Sequence, residues 1–486
     1  MNQLEKLSIE KSVPGRRGVR VLPPSRPAAS WLPATALRQQ PPRLPEMSEF
    51  DVVRHYTRLS RLNFSLDTHF YPLGSCTMKY NPRVNEEVAA LDGFAAAHPL
   101  APAGALQGTL EMTWRLEQML CELTGLAAFT LQPAAGAHGE LTGILLAAAW
   151  HRSRRDHRRT EVLVADSSHG TNPASAAMGG FAVKTVASGH DGRVDLAVLQ
   201  AALGPQTALV MLTVPNTLGL FETMIREIAA AVHAAGALLY LDGANYNALM
   251  GLVRPADMGA DILHLNLHKS FSTPHGGGGP GAGPVGVSAA LVPFLPLPRV
   301  VEKNGRYALK SSSRKSIGRV RTCLGNMAVL LRAYAYLRSH DAAALRGIAE
   351  DAILNANYVR SKLSDLYPAA YNEPCMHECV LQTKPEKMNG IKTLDVAKRL
   401  LDYGFHAPTI YFPLIVPEAL MIEPTETESR ETLDAFVAAM RAIHAEALTN
   451  PEQVQTAPHN LPVRRLDELA AARNPNVAWA SAPSGR

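Results

Sequence analysis

One lysine of this sequence stands at a position where lysine is unusual. Lys269 follows a short apolar run, residues 262–267, that is typical of a buried strand, and glycines and prolines come after it. In a partly desolvated pocket the pKa of a lysine falls, so its amine becomes a nucleophile able to form a Schiff base with an aldehyde. The glycines that follow let the backbone approach a ligand closely.

An acidic residue ends the preceding apolar run. Residues 237–241 also have the pattern of a buried strand, and Asp242 follows them directly. An acid and a lysine at neighbouring strand ends suit pyridoxal phosphate (PLP), because the lysine can hold the aldehyde and the acid can keep the ring nitrogen protonated. The alternative is that Asp242 caps a turn and Lys269 lies on the surface. The pair alone does not decide between these two interpretations.

The middle of the chain alternates between predicted strands and predicted helices. This alternation predicts an α/β domain with a mainly parallel sheet, and ligands bind such sheets at the carboxyl ends of the strands. His169, Asn216, Asp242 and Lys269 all fall at or just beyond such ends. Their coincidence indicates a ligand site more strongly than any one residue does. The predicted strands are residues 127–131, 162–165, 181–186, 208–214, 237–241 and 262–267.

Small residues follow the first of these strands. Residues 133–140 include Gly136 and Ala137 and lead into a helix rich in alanine and leucine. Such a turn can expose backbone amides at a helix N-terminus, a geometry that binds phosphate, although packing alone also selects small residues there. Upstream, residues 67–82 mix polar and aromatic groups without periodicity. They form either a loop that lines a site or an ordinary surface connection.

Composition excludes several classes of function. The chain has 486 residues, is 47% hydrophobic and carries a net charge of +5, which permits phosphorylated ligands without indicating nucleic acid. The basic run at residues 151–159 is best interpreted as the exposed C-terminal end of a helix.

Five sparsely spaced cysteines fit a reducing compartment. No apolar run is long enough to cross a membrane and no signal peptide is evident, so we predict a soluble cytoplasmic protein.

Three patterns in the sequence resemble metal-binding or dinucleotide-binding sites, but each lacks a feature that such a site needs. Cys375 and Cys379 lack a second pair of ligands for a structural zinc ion. The histidines at positions 264, 268 and 275 are separated along a strand and interrupted by Lys269. Residues 281–286 match the glycine pattern of dinucleotide-binding folds but do not directly follow a strand, and Pro284 removes a backbone donor. We predict no metal site.

Eight segments, in order along nearly the whole chain, resemble the C-terminal half of the P-protein family of the glycine cleavage system. In split systems this half is a separate chain. The segment at residues 323–328 departs from the Gly-Asn-Phe-Gly pattern of the family, which affects local packing and not the chemistry. The matching segments are residues 12–18, 70–82, 131–139, 169–175, 215–219, 242–245, 268–276 and 411–414.

The resemblance implies a fold type I PLP-dependent enzyme, with a mainly parallel large domain and a smaller α+β C-terminal domain. It implies an oxidoreductase of glycine catabolism that decarboxylates glycine, releases CO2 and transfers the aminomethyl group to the lipoyl arm of the H-protein. It also implies a partner, subunit 1, with a similar fold but without the lysine, in a heterotetramer of two copies of each chain. The predicted segments are an extended arm at 1–47, a helical and loop segment at 48–107, the PLP-binding large domain at 108–324, the small domain at 325–449 and a tail at 450–486.

The resemblance also implies roles for individual residues. Lys269 carries the cofactor, Asp242 meets the pyridinium nitrogen and His169 stacks on the ring. The amides of Gly136 and Ala137 face the phosphate, and Asn216 reaches the phenolic oxygen. We therefore expect Lys269, Asp242 and His169 to be the catalytic residues.

Two rival interpretations remain at this point. Fold alone does not separate this chemistry from that of an aminotransferase or an aldolase of the same fold type. The loop at residues 71–76 favours the glycine system. A non-enzymatic scaffold resembling subunit 1 is the second rival, and the presence of Lys269 with Asp242 argues against it.

Overall fold

The computed structural model describes residues 4–19, 25, 27–40, 42–275 and 281–476. The described residues fall into two compact units. One is Phe70–Gln455, and the other combines residues from Met1–His69 and Thr456–Arg486. The borders of the five segments predicted above stay predictions.

Helices occur throughout the described chain. They are α1 (Glu49–Ser60), α2 (Arg83–Ala89), α3 (Asp92–Ala95), α4 (Gln107–Thr124), α5 (Gly136–Ser153), α6 (Thr171–Met178), α7 (Leu196–Ala202), α8 (Ile225–Ala234), α9 (Leu267–Ser270), α10 (Met327–Arg338), α11 (Ala342–Leu363), α12 (Thr393–Asp402), α13 (Arg430–Thr449), α14 (Pro451–Gln455) and α15 (Glu468–Arg473).

Strands are confined to the larger unit within the described residues. They are β1 (Ala128–Thr130), β2 (Glu161–Ala165), β3 (Ala182–Val186), β4 (Thr207–Thr213), β5 (Leu238–Gly243), β6 (Ile262–Leu265), β7 (Val285–Val287), β8 (Arg299–Lys303), β9 (Arg306–Lys310), β10 (Cys379–Gln382), β11 (Thr409–Ile410) and β12 (Ala419–Ile422).

The described strands form a large sheet in the order β1-β7-β6-β5-β4-β2-β3. Strands β3, β2, β4, β5 and β6 are parallel, and β7 pairs antiparallel with both β6 and β1. Every residue of the interior strand β4 is buried. Continuous apolar strands of this kind are typical of parallel sheets that are covered on both faces, here by core clusters that include residues of α4, α5 and α8.

A second, antiparallel sheet has the order β10-β12-β11. Helices α11, α12 and α13 pack with it in a separate apolar cluster. The long helices begin at residues suited to capping: the side chains of Asp341 and Ser429 accept hydrogen bonds from backbone amides in the first turns of α11 and α13. The mainly parallel large sheet and the smaller α+β region confirm the predicted fold class.

The smaller unit is built around α1. Arm residues before α1 contact it: Glu5 Oε1 lies 3.1 Å from Nδ1 of His55, and Arg16 Nη1 donates to Asp51 at 3.0 Å. Ser48 caps the helix by accepting a hydrogen bond from the Asp51 amide. Glu5 and Arg16 of the predicted arm therefore contact α1.

Several sequence expectations need correction. Lys269 lies within a one-turn helix, α9, and not directly at a strand end. The segment predicted as a tail, residues 450–486, contains the helices α14 and α15, and Val454 of α14 is fully buried. The hairpin of β8 and β9 and the strand β12 were not predicted. None of the described helices is long and apolar enough to span a bilayer.

Candidate active site

The carboxyl ends of the parallel strands surround a cavity of about 390 Å³. Most of the lining residues belong to strand ends of the large sheet or to the segments that come after those strands in the sequence. Residues 75–76 are different, because they come from a loop. The lining residues are Ser75, Cys76, Ala134, Ala135, Gly136, Ala137, Glu140, His169, Thr171, Thr213, Thr217, Asp242, Ala244, Asn245, Asn266, His268, Lys269, His275 and Gly281.

Lys269 enters this cavity from α9. Its side chain is almost entirely buried, and Nζ donates a hydrogen bond to the carbonyl oxygen of Ser75 at 2.7 Å. A buried amine with one neutral acceptor is available to a ligand, because binding a carbonyl carbon costs it only one hydrogen bond. The position agrees with the chemistry expected of Lys269 from the sequence.

Asp242 lies at the end of β5 and is 2% exposed. Its Oδ2 accepts a hydrogen bond from Asn172 Nδ2 at 3.0 Å, and its Oδ1 accepts one from the Ala244 amide at 2.9 Å. Burial raises the pKa of Asp242, but the opposing effects of His264, Asn172, Ala244 and Lys269 outweigh it and lower the pKa below its usual value. Asp242 is therefore a buried carboxylate ion.

A histidine that the sequence did not suggest for this role stands behind Asp242. His264 lies opposite Asp242 in the register of β5 and β6, and its Nε2 is 3.3 Å from Asp242 Oδ1. Its Nδ1 lies 2.7 Å from the hydroxyl of Tyr240, which is also fully buried. The Tyr240 hydroxyl thus holds the Nδ1 side of the ring, while Nε2 faces Asp242 without making a hydrogen bond. Strand pairing, which the sequence alone does not reveal, creates this arrangement.

His169 lies at the mouth of the cavity and is exposed. Its Nδ1 is 2.8 Å from Thr171 Oγ1, and that hydroxyl donates to Glu140 Oε1 at 2.7 Å. These contacts fix one edge of the imidazole and leave its faces free of hydrogen bonds. An aromatic ring held in this way can stack on a flat ligand.

The first residues of α5 form another part of the wall. Gly136 and Ala137 line the cavity, and no side chain caps the helix at Ala135. The first amides of an α-helix have no partners within the helix, so they offer an anion a ready binding site that the helix dipole favours. Both residues thus lie on the cavity wall, and the phosphate role expected of them stays a prediction.

Asn216 is the one predicted site residue that the structure does not bring to the cavity wall. Its Nδ2 donates to the Gly192 carbonyl at 2.9 Å, and its Oδ1 accepts from the amides of Leu218 and Leu220 at 3.0 and 3.1 Å. These hydrogen bonds use both ends of the amide to shape the loop after β4. The neighbouring Thr217 lines the cavity instead.

Buried polar atoms without partners show that the cavity suits a polar ligand. Within the described residues, Thr213 Oγ1, Asn245 Oδ1, Asn266 Oδ1 and His268 Nδ1 line the wall and make no hydrogen bond. Leaving such groups unsatisfied costs about 1–3 kcal/mol each. Burial, followed by the effect of His275, lowers the pKa of His268 to about 3, so this ring is neutral. An amine, an uncapped helix N-terminus, a carboxylate and polar atoms without partners together fit PLP.

The sequence analysis kept two alternatives for the loop that contains residues 75–76: it lines a site, or it is an ordinary surface connection. Ser75 and Cys76 line the cavity, which confirms the first alternative. Burial raises the pKa of the Cys76 thiol to about 11, so the thiol is neutral. Asn172, which holds Asp242, lies within residues 169–175, a segment of the resemblance in which only His169 had been assigned a role.

Two family models match separate parts of the chain. The model described as "Glycine dehydrogenase, C-terminal domain" matches residues 348–464. The model described as "Aminotransferase class-V" matches residues 142–278, which contain most of the strands of the large sheet and Lys269.

Curated relatives match the chain over almost its whole length. A protein of Caldanaerobacter subterraneus subsp. tengcongensis is 54% identical, with 99% of each chain covered. One of Methylococcus capsulatus is 56% identical, with 97% of this chain and 98% of the relative covered. Both are described as probable glycine dehydrogenase (decarboxylating) subunit 2.

Solved structures agree with these relatives. Glycine decarboxylase (P-protein) of the glycine cleavage system, in an inhibitor-bound form, has a TM-score of 0.73 at 25% identity, covering 85% of this chain and 93% of that one. Alanine–glyoxylate aminotransferase from Nostoc sp. has a TM-score of 0.56 at 15% identity, covering 79% and 98%, and supports the fold alone.

The identity, the coverage and the cavity lead to the same conclusion. More than half of the residues match curated relatives across nearly the full length of both chains. The cavity has groups that fit PLP, and the fold is that of fold type I enzymes. The chain therefore belongs to the family of glycine dehydrogenase (decarboxylating) subunit 2, the PLP-dependent glycine decarboxylases of the glycine cleavage system.

Proposed function

We propose that Lys269, Asp242, His169 and the start of α5 are the residues with which this chain decarboxylates glycine and transfers the aminomethyl group to the lipoyl arm of the H-protein. The observation that carries the proposal is the common cavity of a buried amine and a buried carboxylate ion. When bound, PLP supplies an aldehyde that combines with amines and a protonated ring that accepts the electron pair left by departing CO2.

Each of these residues has a distinct role in the proposal. Lys269 Nζ holds the aldehyde carbon until the amine of glycine replaces it. Asp242 accepts a hydrogen bond from the proton on the ring nitrogen, and its buried negative charge keeps that proton in place. His169 covers one face of the ring. The amides of Gly136 and Ala137 bind the phosphate.

The transfer step balances with the oxidised lipoyl arm as the second substrate. The aminomethyl carbon forms a bond to one sulfur, the sulfur–sulfur bond breaks, and the other sulfur leaves as a thiolate that takes up a proton. The lipoyl disulfide is thereby reduced as the glycine carbon is oxidised.

We further propose that the chain acts in a complex with subunit 1, in two copies of each. The name subunit 2, which the relatives carry, implies such a partner. Helix α1 leaves Phe50, Val53 and Tyr56 more than half exposed, and an apolar helix face of this kind suits a protein interface. The five cysteines are all free, which fits a reducing compartment such as the cytoplasm.

Isotope exchange between glycine and bicarbonate tests the proposal directly. The chain should be co-purified with subunit 1, mixed with lipoylated H-protein, and compared with a Lys269→Ala variant. Release of CO2 that depends on both Lys269 and the H-protein supports the proposal. Transfer of the amino group to an oxo acid without CO2 release would identify the chain as an aminotransferase instead.

A further inference from the structure

The turn at residues 75–77 is conformationally unfavourable. Ser75 has φ of 62° and Thr77 has φ of 50°, in the left-handed region that residues other than glycine rarely adopt. The penalty is largest for a β-branched residue such as Thr77, and such backbone persists only where its surroundings hold it. The groups that hold this turn therefore control the shape of the cavity wall.

Two fully buried carboxyl groups hold the turn. Glu378 Oε2 accepts a hydrogen bond from the Ser75 amide at 2.7 Å, and Glu423 Oε2 accepts one from the Thr77 amide at 2.8 Å. The Thr77 hydroxyl also donates to Glu423 Oε1. Each strained residue is thus attached by its backbone to a separate acidic side chain.

The register of the small sheet brings these two acids together. Cys379 of β10 lies opposite Ile422 of β12, so Glu378, which precedes β10, and Glu423, which follows β12, are neighbours at one end of the sheet. One oxygen of each lies within 4.8 Å of one of the other. Gly74 fits against β12 because a Cβ there would lie 2.6 Å from the Met421 carbonyl oxygen.

The charges around the pair are consistent with its burial. Burial, followed by the neighbouring carboxyl Glu423, raises the pKa of Glu378 well above its usual value, and burial likewise raises that of Glu423. The charge of Lys269 acts on both in the opposite direction. Nε2 of His377 lies 3.8 Å from Glu423 and 3.9 Å from Glu378, and burial lowers the pKa of this imidazole to about 3. The pKa of Glu378 is therefore raised further than that of Glu423.

The turn meets the catalytic machinery at one atom. The Ser75 carbonyl oxygen accepts the hydrogen bond from Lys269 Nζ at 2.7 Å. With PLP bound, Lys269 would hold its aldehyde carbon, and Nζ would be released as an amine whenever the amine of glycine takes its place there. The released amine then needs a buried partner until it bonds to that carbon again.

We propose that the turn at residues 75–77 is the resting site of the released Lys269 amine, and that Glu378 and Glu423 are the positioning residues that hold this site in place. The inference rests on the function proposed above. It assigns no contact with glycine or PLP to either glutamate. The Ser75 carbonyl keeps Nζ aimed into the cavity, so the lysine recaptures the cofactor rapidly.

The test measures two quantities separately: the rate at which Lys269 bonds covalently to PLP, called capture below, and the affinity of the cavity for the rest of the cofactor. The complex with subunit 1, stripped of PLP, is mixed with PLP, and the rate of covalent capture is followed by absorbance. Affinity for pyridoxine 5′-phosphate, which lacks the aldehyde, reports the remaining contacts. For Glu378→Ala we expect capture to slow by about tenfold, with analogue affinity within about twofold of wild type. Glu378→Gln keeps a neutral acceptor and should capture within about threefold of the wild-type rate.

Two more variants complete the design. Thr77→Val removes the hydroxyl donor to Glu423 at similar shape and should also slow capture, even if Glu378→Ala does not fold. Glu222→Ala removes a different buried carboxyl, which accepts the Val194 amide at 3.0 Å and does not line the cavity, and should leave capture unchanged. Wild-type capture rates in Glu378→Ala and Thr77→Val would overturn the inference, as would a parallel loss of analogue affinity. If wild-type protein captures no PLP at Lys269, the proposed function itself fails.

Discussion

Replacing Asp242 by asparagine tests the central electrostatic element of the cavity. The carboxylate is 2% exposed and accepts hydrogen bonds from Asn172 and the Ala244 amide, with His264 Nε2 3.3 Å away. Asparagine has nearly the same shape but no charge, and only one of its two terminal atoms can accept a hydrogen bond. The substitution therefore removes the charge and leaves one of the donors unsatisfied.

The expected loss of activity in Asp242→Asn follows from the negative charge of the carboxylate and from its burial. Opposite unit charges about 4 Å apart at an effective dielectric constant of about 20 attract by about 4 kcal/mol. Asp242 and a protonated ring nitrogen form such a pair in the proposal, and the electron pair left by CO2 is stabilised only while that proton stays. Because about 1.4 kcal/mol changes a rate tenfold, we expect kcat for glycine–bicarbonate exchange to fall about a thousandfold.

The assay measures exchange in the complex with subunit 1 and lipoylated H-protein, and absorbance confirms that PLP remains bound. Asp261→Asn is a matched control, because Asp261 Oδ2 accepts the Leu239 amide at 2.9 Å at the opposite end of the sheet and does not line the cavity. It should retain kcat. A kcat for Asp242→Asn within about tenfold of wild type would refute the assignment of the charge to the reacting ring.

Three further predictions follow from the same contacts. Lys269→Ala should fold, because Nζ makes its hydrogen bond only to a loop carbonyl, but it should lose covalent PLP and exchange activity. Borohydride reduction followed by mass spectrometry checks whether PLP is attached. Cofactor attached to another lysine would contradict the prediction. Asn216→Ala should lower the free energy of unfolding by about 3 kcal/mol, because it leaves the partners of the Asn216 amide unsatisfied, while kcat changes little in exchange assays. A large fall in kcat at unchanged stability would restore Asn216 as a cofactor ligand. Deleting residues 1–44 should leave PLP absorbance in the isolated chain but weaken co-elution with subunit 1 in size-exclusion chromatography; unchanged co-elution would show that the arm is dispensable for assembly.

The sequence alone determined the class of fold and the chemistry. Apolar runs alternating with helical patterns predicted the parallel strands, and the carboxyl ends of parallel strands necessarily lie at one edge of a sheet. Lys269, Asp242, His169, Gly136 and Ala137 were therefore expected together, and all five line one cavity. The motif resemblance supplied glycine, PLP and the family, which the relatives confirm.

The direction of individual side chains depended on the tertiary structure. Asn216 follows a strand end as Asp242 does, but its amide turns into its own loop, since three backbone groups there need partners. A position at a strand end predicts proximity to the site and not orientation. The antiparallel strand β7 was missed because it is only three residues long and its direction is set by its neighbours.

Contacts between distant segments were decided by the tertiary structure alone. His264 faces Asp242 only because β5 and β6 pair in one particular register, and the sequence analysis had considered His264 only in a metal pattern that it rejected. Glu378 and Glu423 reach the turn at residues 75–77 from more than 300 positions away along the chain. Local propensity carries no information about such pairs, because the free energy that selects them comes from burying polar groups together once both sheets have formed.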